Sequence, residues 1–174
     1  MLKKIVFMGT PTFSVPILKS LYQNGYSISA VYTQAPQKSN RGMKVTKSPV
    51  QLIAETLSLE IRTPRNFINN YEEYEYLKKL SPDLVLVVAY GQIIPENFLK
   101  LAKKGFINIH ASLLPNYRGA APIQRSIMNL DKETGISIMK IISKLDAGPI
   151  MLTEKVKIKK DWKQSFFFTN TILI

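Results

Sequence analysis

A chain of 174 residues can bury one sizeable core, and that length suggests a single domain. It contains no cysteine and one histidine, which excludes disulfides, thiolate zinc sites and cysteine nucleophiles, and argues against a histidine-built metal centre. The net charge of +12, from 24 basic and 12 acidic residues, favours an anionic partner, although a high pI is also a plain solubility feature.

The charge is uneven. Residues 35–70 carry six basic and two acidic groups, residues 71–105 carry five of each, and residues 151–174 carry five and two. The opening Met1-Leu-Lys-Lys-Ile-Val-Phe-Met-Gly9 is basic and then apolar, but Gly9 and Pro11 end the run too soon for a signal core or membrane span. Lys3 to Met8 instead predicts a buried parallel strand in a cytoplasmic protein with no membrane partner. The spacing of Phe13, Ile17, Leu18 and Leu21 predicts a helix ending at Asn24-Gly25. This β-turn-α opening lacks a Gly-x-Gly-x-x-Gly or a Lys-Ser/Thr phosphate loop, which weakens a dinucleotide reading.

Tyr26 to Tyr32 predicts a second strand. Thr33 to Pro49 follows as a long polar connection bearing Lys38, Arg41, Lys44 and Lys47, which suits either a clamp on a phosphate backbone or a merely solvated loop. Ser48 caps a helix with proline in its first turn, running through Val50, Ile53, Ala54 and Leu57. Leu59 to Ile61 predicts a short strand. Asn69 or Asn70 opens a helix with acids early and bases late, as the helix dipole prefers, and Tyr71, Tyr74 and Leu77 are expected to face the core. Asp83 to Ala89 is the most continuous apolar run and belongs in the centre of a parallel sheet. The turn Tyr90-Gly91-Gln-Ile93-Ile94-Pro95 is a plausible pocket wall for a flat heterocycle, and a short helix spans Pro95 to Lys104. Helix is then expected over Ala120 to Leu130, a strand with Ile136 and Ile138 alternating over Thr134 to Ile142, and an edge strand over Met151 to Lys159.

Residues 106–125 hold the clearest chemistry. Alternation along Phe106 to His110 puts Asn108 and His110 on one face of a strand, and Ser112-Leu-Leu-Pro115 and Arg118-Gly119 then break the run near its carboxyl end. An amide beside an imidazole can donate to a developing oxyanion, and the imidazole can exchange a proton near neutral pH. An isolated Asn-x-His is more often a polar pair at a strand end, and an Asp next to Ala-Gly, as at Asp146, is more often an ordinary turn residue.

The string Asn108-Ile-His110-Ala-Ser-Leu-Leu-Pro115-Asn-Tyr-Arg-Gly-Ala-Ala-Pro122-Ile-Gln124, followed by Lys144-Leu-Asp146-Ala-Gly148, resembles the signature of the folate-dependent formyltransferases. Arg118 to Gln124 is the version typical of the branch that acts on tRNA, and Phe7-Met-Gly-Thr-Pro11-x-Phe13-x-x-Pro16 is similar to that branch's amino-terminal turn. The resemblance covers residues 1 to about 155. It implies a Rossmann-like α/β fold, an open and mostly parallel sheet with helices on both faces. The implied activity is formyl transfer from 10-formyltetrahydrofolate, as co-substrate, to the amino group of initiator methionyl-tRNA. The resemblance further implies Asn108, His110 and Asp146 as the catalytic group, and Ser112, Leu113, Leu114, Pro115, Tyr90, Gly91 and Ile93 around the folate. Lys38, Arg41, Lys44 and Lys47 become the grip on tRNA, the protein is expected to be a monomer, and no metal is implied.

Two departures stand out. Lys144 occupies a position often held by glycine in the family and could alter Asp146; Arg118 suits a ligand anion or a surface pair. The family also continues into a further domain, so residues 1–160 are expected to be a catalytic domain incomplete at its carboxyl end. Residues 161–174 are expected to be an atypical tail, disordered or frameshifted, with turnover on tRNA impaired. The competing readings are a formyltransferase for another amine, such as glycinamide ribonucleotide or an amino-sugar nucleotide, and a non-catalytic basic α/β fragment.

Overall fold

The computed structural model describes residues 4–39 and 44–159. The chain divides after Phe106 into two compact units, with strand order β5-β2-β1-β6 in the first and β7-β8-β9 in the second.

In the first unit, β1 (Ile5–Gly9) is buried at every position because it lies between β2 (Ile28–Tyr32) and β6 (Leu84–Val88), parallel to both. An unbroken apolar run is what a strand covered on both faces requires. A short 3-10 turn over Thr12–Ser14 leads into α1 (Val15–Gln23), where the buried Ser14 hydroxyl donates to the Val88 carbonyl at 2.6 Å. The connection that reads as one long loop holds a small antiparallel hairpin, β3 (Gln37–Ser39) and β4 (Lys44–Thr46). Ser48 then caps α2 (Pro49–Thr56), its Oγ accepting from the Gln51 N–H at 2.9 Å. β5 (Ile61–Arg62) sits a residue or two later than its sequence pattern suggests and pairs with β2.

Asn70, not Asn69, caps α3 (Tyr71–Leu80) by accepting from the Glu73 N–H at 3.1 Å. The expected core stripe on this helix needs correction: Leu77 is buried, but Tyr71 is 74% exposed and Glu73 is buried instead. The cause is the opposing chemistry. Tyr32 donates its hydroxyl to Glu73 Oε2 at 2.9 Å, and Arg62 reaches the same carboxylate through Nε at 3.3 Å and Nη2 at 2.5 Å. A satisfied ion pair can occupy a core position that an unpaired carboxylate could not. Next to it, Phe67 packs against Tyr32, Tyr90 and Phe98 with ring centroids 5.8, 5.9 and 5.0 Å apart. The helix expected over 95–104 is a single turn, α4 (Glu96–Leu99).

The second unit is antiparallel. β7 (Phe106–His110) pairs with β8 (Glu133–Lys140), opposing Asn108 to Met139 and His110 to Ser137. α5 (Pro122–Met128) is shorter than the expected 120–130 helix, with proline in its first turn and Ile123 and Ser126 buried. On β8 the face carrying Ser137 and Met139 is the buried one, while Ile136 and Ile138 are half-buried. β9 (Ile150–Lys157) pairs with β8 and is exposed almost throughout, as an edge strand rich in charge should be. Residues 161–174 lie outside the described residues.

Candidate active site

All three residues singled out for catalysis meet in the second unit. Strand alternation puts Asn108 and His110 side by side, and the turn after β8 brings Asp146 over them. Asn108 Nδ2 donates to Asp146 Oδ1 at 3.3 Å, and His110 Nδ1 stands 3.6 Å from Asp146 Oδ2. That second carboxylate oxygen also accepts from the Gly119 N–H at 2.8 Å. His110 and Asp146 side chains are only 7% and 12% exposed, so the group is shielded without being sealed.

The imidazole is oriented from its far side. Nε2 lies 2.9 Å from the Tyr117 carbonyl oxygen, which can only accept, so this nitrogen carries a hydrogen. Nδ1 is therefore the nitrogen turned toward the carboxylate, at a distance too long for a direct hydrogen bond. A small polar atom could be served by both.

The turns that make this geometry are conformationally demanding. Tyr117, Gly119, Ala121 and Asp146 all have positive φ, at 56, 84, 54 and 41°. Gly148 explains how the Asp146 turn is seated: a Cβ there would come within 1.8 Å of the Lys140 carbonyl oxygen, so only glycine lets the turn lie against β8.

Ser112, Leu113, Leu114 and Pro115 follow β7 directly, and the Leu114-Pro115 peptide is cis. The loop is stapled by Ser137, whose hydroxyl donates to the Ser112 carbonyl at 2.7 Å and accepts from the Leu114 N–H at 3.0 Å. Ser112 Oγ donates to the Asn116 carbonyl at 2.6 Å, so it serves the loop's own turn. A cavity of about 470 Å³ opens beside the loop, lined by Leu113, Asn116, Tyr117, Asn129, Asp131 and Glu133 among others.

Tyr90, Gly91 and Ile93 belong to the first unit. The Tyr90 ring is core, 2% exposed, and its hydroxyl has no hydrogen-bond partner among the described residues. Its carbonyl accepts from Thr10 Oγ1 at 2.8 Å, while Gln34 Nε2 donates to Gly91 O at 3.1 Å, so the backbone of this turn is held firmly. Ile93 is 80% exposed, as a ligand-facing or simply solvated side chain would be.

Of the basic loop, Lys47 is exposed and paired to Glu55 at 2.8 Å; Arg41 and the side chains of Lys38 and Lys44 lie outside the described residues. Lys144 is exposed, and among the described residues the partners of Asp146 are Asn108, Gly119 and His110. No group of metal-ligating side chains occurs among the described residues, and no described helix is long and apolar enough to cross a membrane.

Sequence reasoning assigns no role to Tyr117, Gly119 or Ser137. Tyr117 meets His110 through a carbonyl and Gly119 meets Asp146 through an N–H, groups that nearly every residue carries. Ser137 was accessible in principle, as a small polar residue between two isoleucines on a predicted strand.

A methionyl-tRNA formyltransferase from Pelagibacter ubique is 69% identical over 91% of this chain, and one from Caldanaerobacter subterraneus is 48% identical over 91%. In both cases the match spans 51% of the relative, so the chain covers about half the length of these proteins. A phosphoribosylglycinamide formyltransferase from Bacillus halodurans shares the fold with a TM-score of 0.76 at 21% identity, covering 97% of this chain and 87% of that one. A formyltetrahydrofolate deformylase from Pseudomonas syringae pv. tomato does so with a TM-score of 0.73 at 20% identity, covering 96% and 55%. The Formyl transferase family profile matches residues 3–166. With a profile match over nearly its whole length, the chain belongs to the formyl transferase family.

Proposed function

We propose that this chain carries the formyl-transfer centre of a methionyl-tRNA formyltransferase acting in the cytoplasm, with residues 1–160 as its catalytic part. The observation that carries this reading is the meeting of Asn108, His110 and Asp146 around a position where a carbonyl oxygen would be stabilised. The 69% identity to a protein named methionyl-tRNA formyltransferase supports methionyl-tRNA as the acceptor, and the resemblance of the Asn108–Gln124 string to the folate-dependent formyltransferases supports 10-formyltetrahydrofolate as the donor.

In this scheme the neutral α-amino group attacks the formyl carbon; a C–N bond forms and the carbonyl becomes an oxyanion. Asn108 offers its second amide hydrogen, and His110, protonated at Nδ1, donates from the other side. Asp146 balances the imidazolium charge and can accept the proton released from the attacking nitrogen through a water molecule. That proton passes to the folate nitrogen as the C–N10 bond breaks, giving the formylated amine and tetrahydrofolate. No covalent enzyme intermediate is required, consistent with a chain that has no cysteine.

Ser112, Leu113, Leu114 and Pro115, with the backbone of Tyr90 and Gly91 and the side chain of Ile93, are assigned to the folate. Lys38, Arg41, Lys44 and Lys47 are assigned to tRNA phosphates, supported by the basic excess over residues 35–70.

The test is a single-turnover assay with excess protein, 10-formyltetrahydrofolate and methionyl-tRNA, reading formylmethionine, beside His110→Ala and Asp146→Ala. Formylation by the parent and its loss in both variants is expected. Equal activity in parent and variants, or preferential formylation of glycinamide ribonucleotide, overturns the assignment.

A further inference from the structure

Tyr117 joins two hydrogen-bonded systems. Through its carbonyl it accepts from His110 Nε2 at 2.9 Å; through its hydroxyl it donates to Asp131 Oδ2 at 2.5 Å. Asp131 is itself fixed: Oδ1 accepts from Asn129 Nδ2 at 2.8 Å, and its N–H donates to the Ser126 carbonyl of α5 at 3.1 Å. A connected path therefore runs from the end of α5 through the phenol and the turn to the imidazole.

The turn needs that support. Tyr117 sits at φ 56°, a region that non-glycine residues leave unless surroundings hold them there. The phenol-carboxylate bond is charge-assisted, the stronger class of hydrogen bond, and ties the side chain to a rigid helix end. Asp131 also pushes the Tyr117 phenol's pKa upward, so the hydroxyl remains a donor through the neutral range.

We infer that Tyr117 and Asp131 are positioning residues for His110: Asp131 anchors the Tyr117 ring, and the anchored turn aims the Tyr117 carbonyl at Nε2, leaving Nδ1 to face Asp146. The catalytic meaning of this arrangement rests on the function proposed above, whereas the anchoring itself does not.

Because the chain has one histidine, labelling histidine ring nitrogens with 15N gives signals from His110 alone. In the parent chain the Nε2 hydrogen should give an observable, slowly exchanging resonance. Tyr117→Phe and Asp131→Ala should each speed its exchange with water roughly tenfold, the scale of one lost hydrogen bond. The double variant should do no more than either single one, because both cut the same link. Asp131→Asn keeps an acceptor oxygen and should restore most of the protection. Lys155→Ala, which breaks the exposed Glu133 pair elsewhere in the unit, should leave the signals unchanged.

Folded Tyr117→Phe with unaltered His110 exchange overturns the inference, as does a double variant whose effect is the product of the single fold-changes. Should Tyr117→Phe and Asp131→Ala both fail to fold, Asp131→Asn decides: a measurable, smaller increase in exchange supports the link and none overturns it. Expected signal changes in a chain that transfers no formyl group would uphold the positioning pair and discard the proposed function.

Discussion

Each unit hides a polar cluster assembled from similar parts, and Glu73 and His110 are equally buried at 6% exposure. Around Glu73, the guanidinium of Arg62 and the hydroxyl of Tyr32 occupy both carboxylate oxygens, while Arg62 also lies 4.3 Å from the Tyr76 ring centroid. Around Asp146, two donors converge, Asn108 Nδ2 and the Gly119 N–H, while His110 Nδ1 remains beyond bonding distance and Asn108 keeps an amide hydrogen uncommitted among the described residues. Burial does not separate a structural cluster from a chemical one. Under the proposed function, spare hydrogen-bonding capacity does.

The sharpest way to break this contrast is to remove one member from each cluster. Glu73→Ala leaves the Tyr32 hydroxyl without its acceptor and Arg62 with Glu72, at 3.3 Å, as its remaining carboxylate, and should cost about 3 kcal/mol in denaturant unfolding. Asn108→Ala should do the reverse: a loss of about 3 kcal/mol in transition-state stabilisation, roughly a hundred- to thousandfold in formyl transfer rate, with an unfolding midpoint close to the parent's. Similar stability losses in both would erase the distinction.

Titration sharpens it further. Burial first, and then the Glu73 charge, push the Tyr32 and Tyr90 hydroxyls well above their ordinary value. An unfolded tyrosine ionises near pH 10, so the folded chain holds protons that the unfolded chain loses. Stability from these groups is therefore intact below about pH 10 and falls above it by about 1.4 kcal/mol per pH unit for each tyrosine. Unfolding measured between pH 9 and about pH 11.5 checks the sign. Tyr90→Phe should remove part of that fall. At neutral pH the same substitution should raise stability by about 1 kcal/mol, because it deletes a buried hydroxyl that has no partner among the described residues. The smallest effect belongs to the surface: Lys155→Ala should change stability by no more than about 0.5 kcal/mol, since both partners in its pair with Glu133 are over half exposed.

Much of this was readable before any coordinates. The apolar runs of β1 and β6, the caps at Ser48 and Asn70, and the shared face of Asn108 and His110 all follow from local patterns of residue type. Glu73 was not readable, because a glutamate on an amphipathic helix reads as solvent-facing. Only its distant partners, Arg62 and Tyr32, make burial tolerable. On β8 the alternation of Ile136 and Ile138 marks a strand but not its buried face, which contains Ser137, the residue that serves the loop at Ser112. The hold on His110 was hidden for a different reason: a main-chain carbonyl at Tyr117 supplies it, and any residue has one.

Asp146 sits at φ 41°, a backbone state that glycine enters freely and aspartate enters at a cost. Replacement by glycine would relax the turn and delete the carboxylate in one step. Relief of backbone strain would be set against two lost hydrogen bonds, from Asn108 and from the Gly119 N–H, so the carboxylate ties two chain segments together at the expense of ease in its own turn.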